Sequence, residues 1–175
     1  MSTSGVAVPS VVVRDRRDAD ADALGRALAD AQPTDNYPMR AGNAHAGWLF
    51  GGDVAGAWVA VVADEVVAHV SVVRGFDVPG LAEAVGVRSG SALGLTRLFV
   101  IPAWRGRGAA SILLDRAERF AAAAGVPLVL EVAGDALGAI ALYEGRGWQR
   151  ISTYRATWFA PDGPRPIAHG YLAPG

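Results

Sequence analysis

The residues best placed to do chemistry lie in one short run, Val100-Ile101-Pro102-Ala103-Trp104-Arg105-Gly106-Arg107-Gly108-Ala109-Ala110-Ser111. Gly106 and Gly108 leave room for a ligand to approach main-chain amides that have no strand partner. A helix-forming segment follows at once, so its first unpaired N–H groups and its positive dipole end point back into the loop. Gly106 through Ser111 therefore read as a nest for a diphosphate. An ordinary tight turn uses the same residue types, but the strand before, the arginines and the regular helix after favour the phosphate. A dinucleotide fingerprint fits poorly, because Ser111 occupies its sixth position and five residues separate the strand from Gly106. A hairpin far upstream is also wrong for a parallel nucleotide-binding half, and only the spacing to Glu131 speaks for it.

Composition removes most other chemistries. The chain has no cysteine, which excludes thiolate metal sites, iron–sulfur clusters and cysteine nucleophiles. All 16 basic residues are arginine, so lysine Schiff bases and a P-loop lysine are excluded as well. His45, His69 and His169 are too scattered for a His-x-x-x-His metal pair, and no Gly-x-Ser-x-Gly elbow occurs. A net charge of -1 argues against nucleic acid or an acidic membrane as partner. With 175 residues, 51% apolar and 19% charged, a single globular domain over residues 1–175 is expected, the first ten forming a disordered tail. Met1 to Ser10 carries no basic start followed by an apolar core, and the apolar stretch Val54 to Ala63 is short for a membrane span. A cytoplasmic protein is the expectation.

The elements that must position the loop can be read from periodicity. Val11 to Val13 predicts a strand, and Asp18 caps a helix running to Ala31. Gln32 to Gly47 reads as a loop with a helical turn. Ala55 to Ala63 and Val66 to Val73 form a hairpin about Asp64-Glu65. Phe76 to Gly90 has no clean period and reads as a mobile loop. Leu93 to Ile101 is a strand stopped by Pro102. Arg107 to Ala124 is the best helix, with Ile112, Leu113, Ala117, Phe120 and Ala124 at three- and four-residue steps, an Asp115–Arg119 pair outside and Gly125 as its stop. A strand at Leu128 to Val132, a helix at Ala136 to Arg146, a long strand at Trp148 to Phe159 and a last strand at Ile167 to Leu172 complete the order.

Arg105-x-x-Gly108-x-Ala110 matches the Arg/Gln-x-x-Gly-x-Gly/Ala signature of the GNAT superfamily of N-acetyltransferases, which the chain resembles. The likeness runs back through Leu98-Phe99-Val100 and Pro102. It runs on through Leu130-Glu131-Val132, Ala139-Ile140-Ala141-Leu142-Tyr143-Glu144 and Gly147-Trp148, about 80 residues in order and spacing. The amino-terminal part resembles the family in pattern only. The resemblance implies an α/β GNAT fold: a mixed, mostly antiparallel central sheet of about seven strands flanked by helices. It also implies acetyl-CoA as cosubstrate and no metal. Pantetheine would lie against the strand at Leu98, Phe99 and Val100. The pyrophosphate would sit on the amides of Gly106, Arg107, Gly108, Ala109, Ala110 and Ser111, with Arg105 and Arg107 meeting it by charge-assisted contacts.

Acetyl transfer from a thioester to an amine needs a base, oxyanion donors and an acid for the thiolate. By resemblance the acid is Tyr143, and an N–H near Val100 is the oxyanion donor. Glu131, twelve residues before Tyr143, matches a glutamate proposed as base in the branch that acetylates protein N-termini. A charge inside Leu128-Val129-Leu130-Glu131-Val132 needs pairing or a cleft, so Glu131 is either that base or a structural carboxylate. Ala136 stands where family members often carry an asparagine contacting CoA. The implied acceptor is a primary amine, on a small molecule or a peptide N-terminus, attacking directly in a ternary complex. The loops at 32–47 and 76–90 and the last hairpin would recognise it, with Asp35 or Glu83 available to pair its ammonium. The competing reading is a non-catalytic acyl-CoA-binding or sensor module. Trp158 and Phe159 would suit a homodimer face.

Overall fold

The computed structural model describes residues 10–35, 37–88, 90–160 and 163–175. The expected tail thus lies, apart from Ser10, outside the described residues. Seven strands form one sheet: β1 (Val12–Asp15), β2 (Val54–Val62), β3 (Glu65–Phe76), β4 (Ala92–Val100), β5 (Leu128–Ala133), β6 (Gln149–Arg155) and β7 (Ile167–Leu172), in the order β1-β2-β3-β4-β5-β7-β6. Every neighbouring pair is antiparallel except β4 and β5. The helices are α1 (Ala21–Asp35), α2 (Ala46–Phe50), α3 (Leu81–Val85), α4 (Ala109–Ala124) and α5 (Leu137–Gly145).

Both faces of the sheet are covered, and β3 shows why. Successive strand residues point to opposite faces, yet Val66 through Val72 are all buried. Trp58, opposite Val70, meets Phe120 of α4 edge-on at 5.3 Å. His69, one step along, faces the other way and meets Arg16, whose guanidinium bonds the Leu49 carbonyl of α2. Leu24, Leu28 and Ala31 of α1 and Leu113, Leu114 and Ala117 of α4 supply the buried stripes expected of amphipathic helices.

The structure departs from the sequence reading at several boundaries. α1 runs through Pro33 to Asp35, because a proline in the last turn forfeits a single helix bond where few remain. The segment read as a mobile loop holds the end of β3 and α3, whose Leu81 packs with Val78, Ala92 and Val129 in a small core of its own. The hairpin turn is Ala63-Asp64, both at positive φ, and not Asp64-Glu65. Asp18 begins a 3₁₀ turn, and it is Asp20 that accepts the Arg17 N–H, at 2.7 Å, while gripping Arg14 with both oxygens. α4, the helix after the glycine loop, begins at Ala109, two residues later than the sequence predicts, and β6 ends at Arg155 and not at Phe159. The Asp115 carboxylate pairs with Arg146, just past α5, while Arg119 donates to the Asp115 main-chain carbonyl at 3.1 Å.

Candidate acetyl-CoA and acceptor site

β4 and β5 part company early. Their parallel register covers only Leu93 with Leu128 and Gly94 with Val129. Beyond that β4 continues to Val100 without pairing to β5, which leaves main-chain donors and acceptors with no strand partner along a wedge. The cause lies on the opposite edge of β4. Between His69 opposite Phe99 and Ser71 opposite Thr96, β4 carries one extra residue, and Arg97 takes φ 55°. Such a bulge bends its strand and sharpens the local twist.

A bulge leaves main-chain groups unpaired, and here side chains take them. The Arg97 N–H donates to the Tyr37 hydroxyl at 2.9 Å, and the Arg97 carbonyl accepts from His69 Nδ1 at 2.9 Å. That fixes the His69 tautomer, leaving Nε2 to accept from Arg16 at 3.2 Å. His69 is fully buried, and burial holds its pKa down to about 3 from 6.5. The unfolded chain therefore binds a proton on this imidazole between those values while the folded chain does not. Stability must fall as pH drops from about 6.5 towards 3, with a slope from this group approaching ~1.4 kcal/mol per pH unit. Denaturant unfolding of wild type and His69→Gln across this range should show the acid limb flattened by about that slope in the variant. Parallel curves would mean that His69 is not the group.

At the end of β4 the chain makes a 3₁₀ turn at Pro102–Trp104 and enters the glycine loop. Gly106 and Gly108 stand at φ 69° and 84°, so both are there for backbone shape. A Cβ at either would meet nothing within 4 Å, which shows open space over the loop. The first bond into α4 runs from Ile112 N–H to the Gly108 carbonyl, so the amides of Ala109, Ala110 and Ser111 lack helix partners. Open space, unpartnered amides and a helix dipole suit a diphosphate. The two arginines differ. Arg105 is tied to Asp35 at 2.7 Å and to the Val100 carbonyl at 3.3 Å, bracing the loop against the end of α1. Asp35 is thereby paired through one of its oxygens. Arg107 is exposed and lies 4.7 Å over the Trp104 ring.

α5 carries Tyr143 and is held at its C-terminal end. Arg146 bonds Asp115 and Glu118 of α4, Trp148 Nε1 donates to Glu118 at 2.8 Å, and Glu144 accepts from Tyr171 at 2.6 Å. Tyr143 is 7% exposed, wedged between the rings of Trp148 and Tyr171, yet its hydroxyl has no hydrogen-bond partner among the described residues. Burial, with a further push from nearby Tyr37, raises its pKa well above the usual phenol value of 10. Ala136 precedes α5 and gives it no side-chain cap.

Glu131 is held differently. One carboxylate oxygen accepts from the Tyr154 hydroxyl and the other from Trp158 Nε1, both at 2.5 Å. Desolvation and the Glu131 carboxylate together push the Tyr154 phenol far up, so it stays a donor. Trp158 is thus engaged with Glu131, while Phe159 is 53% exposed.

Sequence reading did not single out His69 or Arg97. Each is a polar residue inside an apolar strand run, the same signal that drew attention to Glu131. No group of three or more metal-ligating side chains occurs among the described residues, and no helix there is long and apolar enough to cross a membrane.

Residues 23–148 match the family model described as Acetyltransferase (GNAT) family. The chain belongs to the GNAT acetyltransferase family, and acetyl transfer is the activity class that follows. Among solved structures it resembles NAA60 of Arabidopsis thaliana in complex with acetyl-CoA, at 17% identity and a TM-score of 0.71, over 93% of this chain and 97% of that one. It also resembles the ribosomal-protein-S18-alanine N-acetyltransferase of Escherichia coli, at 18% identity and a TM-score of 0.65, over 94% of each chain. PaiA N-acetyltransferase of Thermoplasma acidophilum in complex with coenzyme A aligns at 13% identity and a TM-score of 0.65, over 91% of this chain and 98% of that one. At these identities the likeness is one of fold. No curated protein matches the sequence.

Proposed function

We propose that the protein is an N-acetyltransferase that moves acetyl from acetyl-CoA to a primary amine by direct attack in a ternary complex. The observation that carries this reading is the parting of β4 from β5 immediately before a loop of open, unpartnered amides. One slot accepts an extended chain along a strand edge, and the next accepts its diphosphate. In this reading Leu98, Phe99 and Val100 pair with the pantetheine arm, and Gly106 to Ser111 take the phosphates with Arg107 above them. Relatives of the same fold crystallised with acetyl-CoA and coenzyme A support the cosubstrate.

The amine nitrogen attacks the thioester carbonyl carbon, the C–N bond forms and the C–S bond breaks. An amide N–H on the open edge of β4 near Val100 steadies the charge on the carbonyl oxygen. Tyr143 gives its proton to the departing sulfur and recovers one from solvent. The proton shed by the amine leaves to water. We assign Glu131 to holding Tyr154 and Trp158, because both of its oxygens are already occupied.

Glu131→Gln tests that assignment. Glutamine keeps one uncharged acceptor oxygen and turns an NH2 towards the other donor, so two bonds to a charged acceptor are weakened or lost, each worth about 1.5–3 kcal/mol. We expect a clear fall in melting temperature with turnover of the remaining folded enzyme within a few-fold of wild type. Unchanged melting with turnover down a hundredfold would restore Glu131 as the base. The activity itself is tested by presenting acetyl-CoA with a panel of amines and peptides and reading thiol release. Coenzyme binding with no thiol released by any amine would favour the non-catalytic module, which keeps the same phosphate loop.

A further inference from the structure

Arg97 has two features that folding alone does not account for. It occupies a left-handed backbone position inside a strand, where glycine or asparagine would be relaxed. Its guanidinium is also half-buried, with Nε fully enclosed and without a hydrogen-bond partner. A weak contact to the Thr96 hydroxyl at 3.4 Å and the Trp48 ring at 5.2 Å are its other neighbours of note. Neither Arg97 nor Arg16 forms an ion pair with a carboxylate among the described residues. The two guanidiniums instead repel each other across His69, and burial lowers the pKa of both. Asp18 and Asp20 support the charge on Arg16, but Asp20 is already gripped by Arg14. For Arg97 the corresponding neighbour is the Tyr37 phenol, which burial keeps neutral up to about pH 12 and which supplies no counter-charge below that.

The position of this uncompensated charge is informative. Arg97 is the bulge residue of the strand whose open edge forms the acetyl-CoA wedge, and its N–H is held by Tyr37, which in turn lies near Tyr143. Bulges beside active sites commonly re-aim a side chain. Tyr37 and Trp48, packed edge-to-face at 5.6 Å, wall the same place from the segment between α1 and β2. Even a half-buried cation without a counter-ion is costly, and a planar guanidinium is matched by a carboxylate that bonds two of its N–H groups at once. We infer that Arg97 is the specificity residue of the acceptor site, and that the acceptor is a small amine bearing a carboxylate, an amino acid in chemical class. This rests on the acetyltransfer reading above.

The test uses glycine, β-alanine, 4-aminobutyrate and L-glutamate, each beside its carboxamide, with acetyl-CoA and thiol release as readout. Wild type should prefer at least one carboxylate over its amide by tenfold or more in kcat/KM, since unpairing a buried charge is expensive. Arg97→Asn removes the charge while tolerating the left-handed backbone, and should bring that ratio close to one. Arg97→Lys should keep part of the preference. Calorimetry of the matching N-acetyl products against CoA-saturated protein gives a second reading that needs no turnover. Thiol release without carboxylate preference, or a preference that survives Arg97→Asn, overturns the inference and leaves acetyl transfer standing. Products that bind only while Arg97 is present, with no thiol release from any amine, uphold the anion site and refute the transfer reading. Neither release nor binding overturns both.

Discussion

Tyr143→Phe is expected to lower turnover by roughly 100- to 10,000-fold while acetyl-CoA affinity and melting temperature stay close to wild type. The contrast is sharp because of how the tyrosine sits. Its ring is wedged between Trp148 and Tyr171, and phenylalanine keeps that packing. Its hydroxyl holds no partner among the described residues, so its removal breaks no bond in the fold, and a purely structural tyrosine here would lose almost nothing. A proton donor to a departing thiolate would lose the whole of its contribution. Burial keeps the phenol protonated well past its ordinary range, so no basic limb in the pH–rate profile below about pH 10 should come from Tyr143. Steady-state kinetics, calorimetry with acetyl-CoA and thermal melting decide the matter together. Turnover within a few-fold of wild type would take Tyr143 out of the reaction and give the proton to water.

Gly108→Glu is expected to weaken acetyl-CoA binding by at least about a hundredfold. Two effects act at this position. Gly108 stands at φ 84°, where a side chain costs roughly 1–2 kcal/mol of strain. Space over the loop is open, so the new carboxylate is not expelled by a clash but can settle on the free amides of α4 itself. A negative group is welcome at a helix N-terminus, which helps the variant to fold. The same placement sets it against the diphosphate, and juxtaposed like charges cost several kcal/mol. Gly108→Asn provides the control, since asparagine accepts both the left-handed backbone and the N-cap position without a charge. It should retain most of the binding. A folded Gly108→Glu protein that binds acetyl-CoA as wild type does would remove the phosphates from this loop.

Much of this site was legible in local patterns. The loop from Arg105 to Ser111 declares itself because glycine spacing, helix periodicity and helix polarity are properties of a few consecutive residues. Tyr143 and the strand at Leu98 to Val100 follow from resemblance to a family whose motifs lie within one stretch of chain. The same locality explains the elements whose extent is legible, such as β7 and all of α4 but its first boundary, whose periodicity is long or whose borders carry strong turn residues. The misread segment 76–90 has no such period: α3 is five residues long and exists because Leu81 is buried against Val78 and Val129. So short a helix is set by packing and not by propensity.

What the sequence could not show is how distant residues meet. The wedge depends on one extra residue in β4, and that bulge is stable only because Tyr37 and His69 arrive from elsewhere to take its N–H and carbonyl. Nothing near Arg97 in the chain announces either partner. Glu131 and Asp35 were each open to two readings in sequence. Tertiary structure decided their contacts by placing Tyr154 and Trp158 on one and Arg105 on the other. The sequence by itself determined the family, the glycine loop we assign to the phosphates and the candidate acid, because short-range spacing encodes them. Which polar groups are paired and which are not was decided only by the fold, because pairing is a matter of distance in space, and 60 residues of chain separate Tyr37 from the Arg97 N–H that it holds.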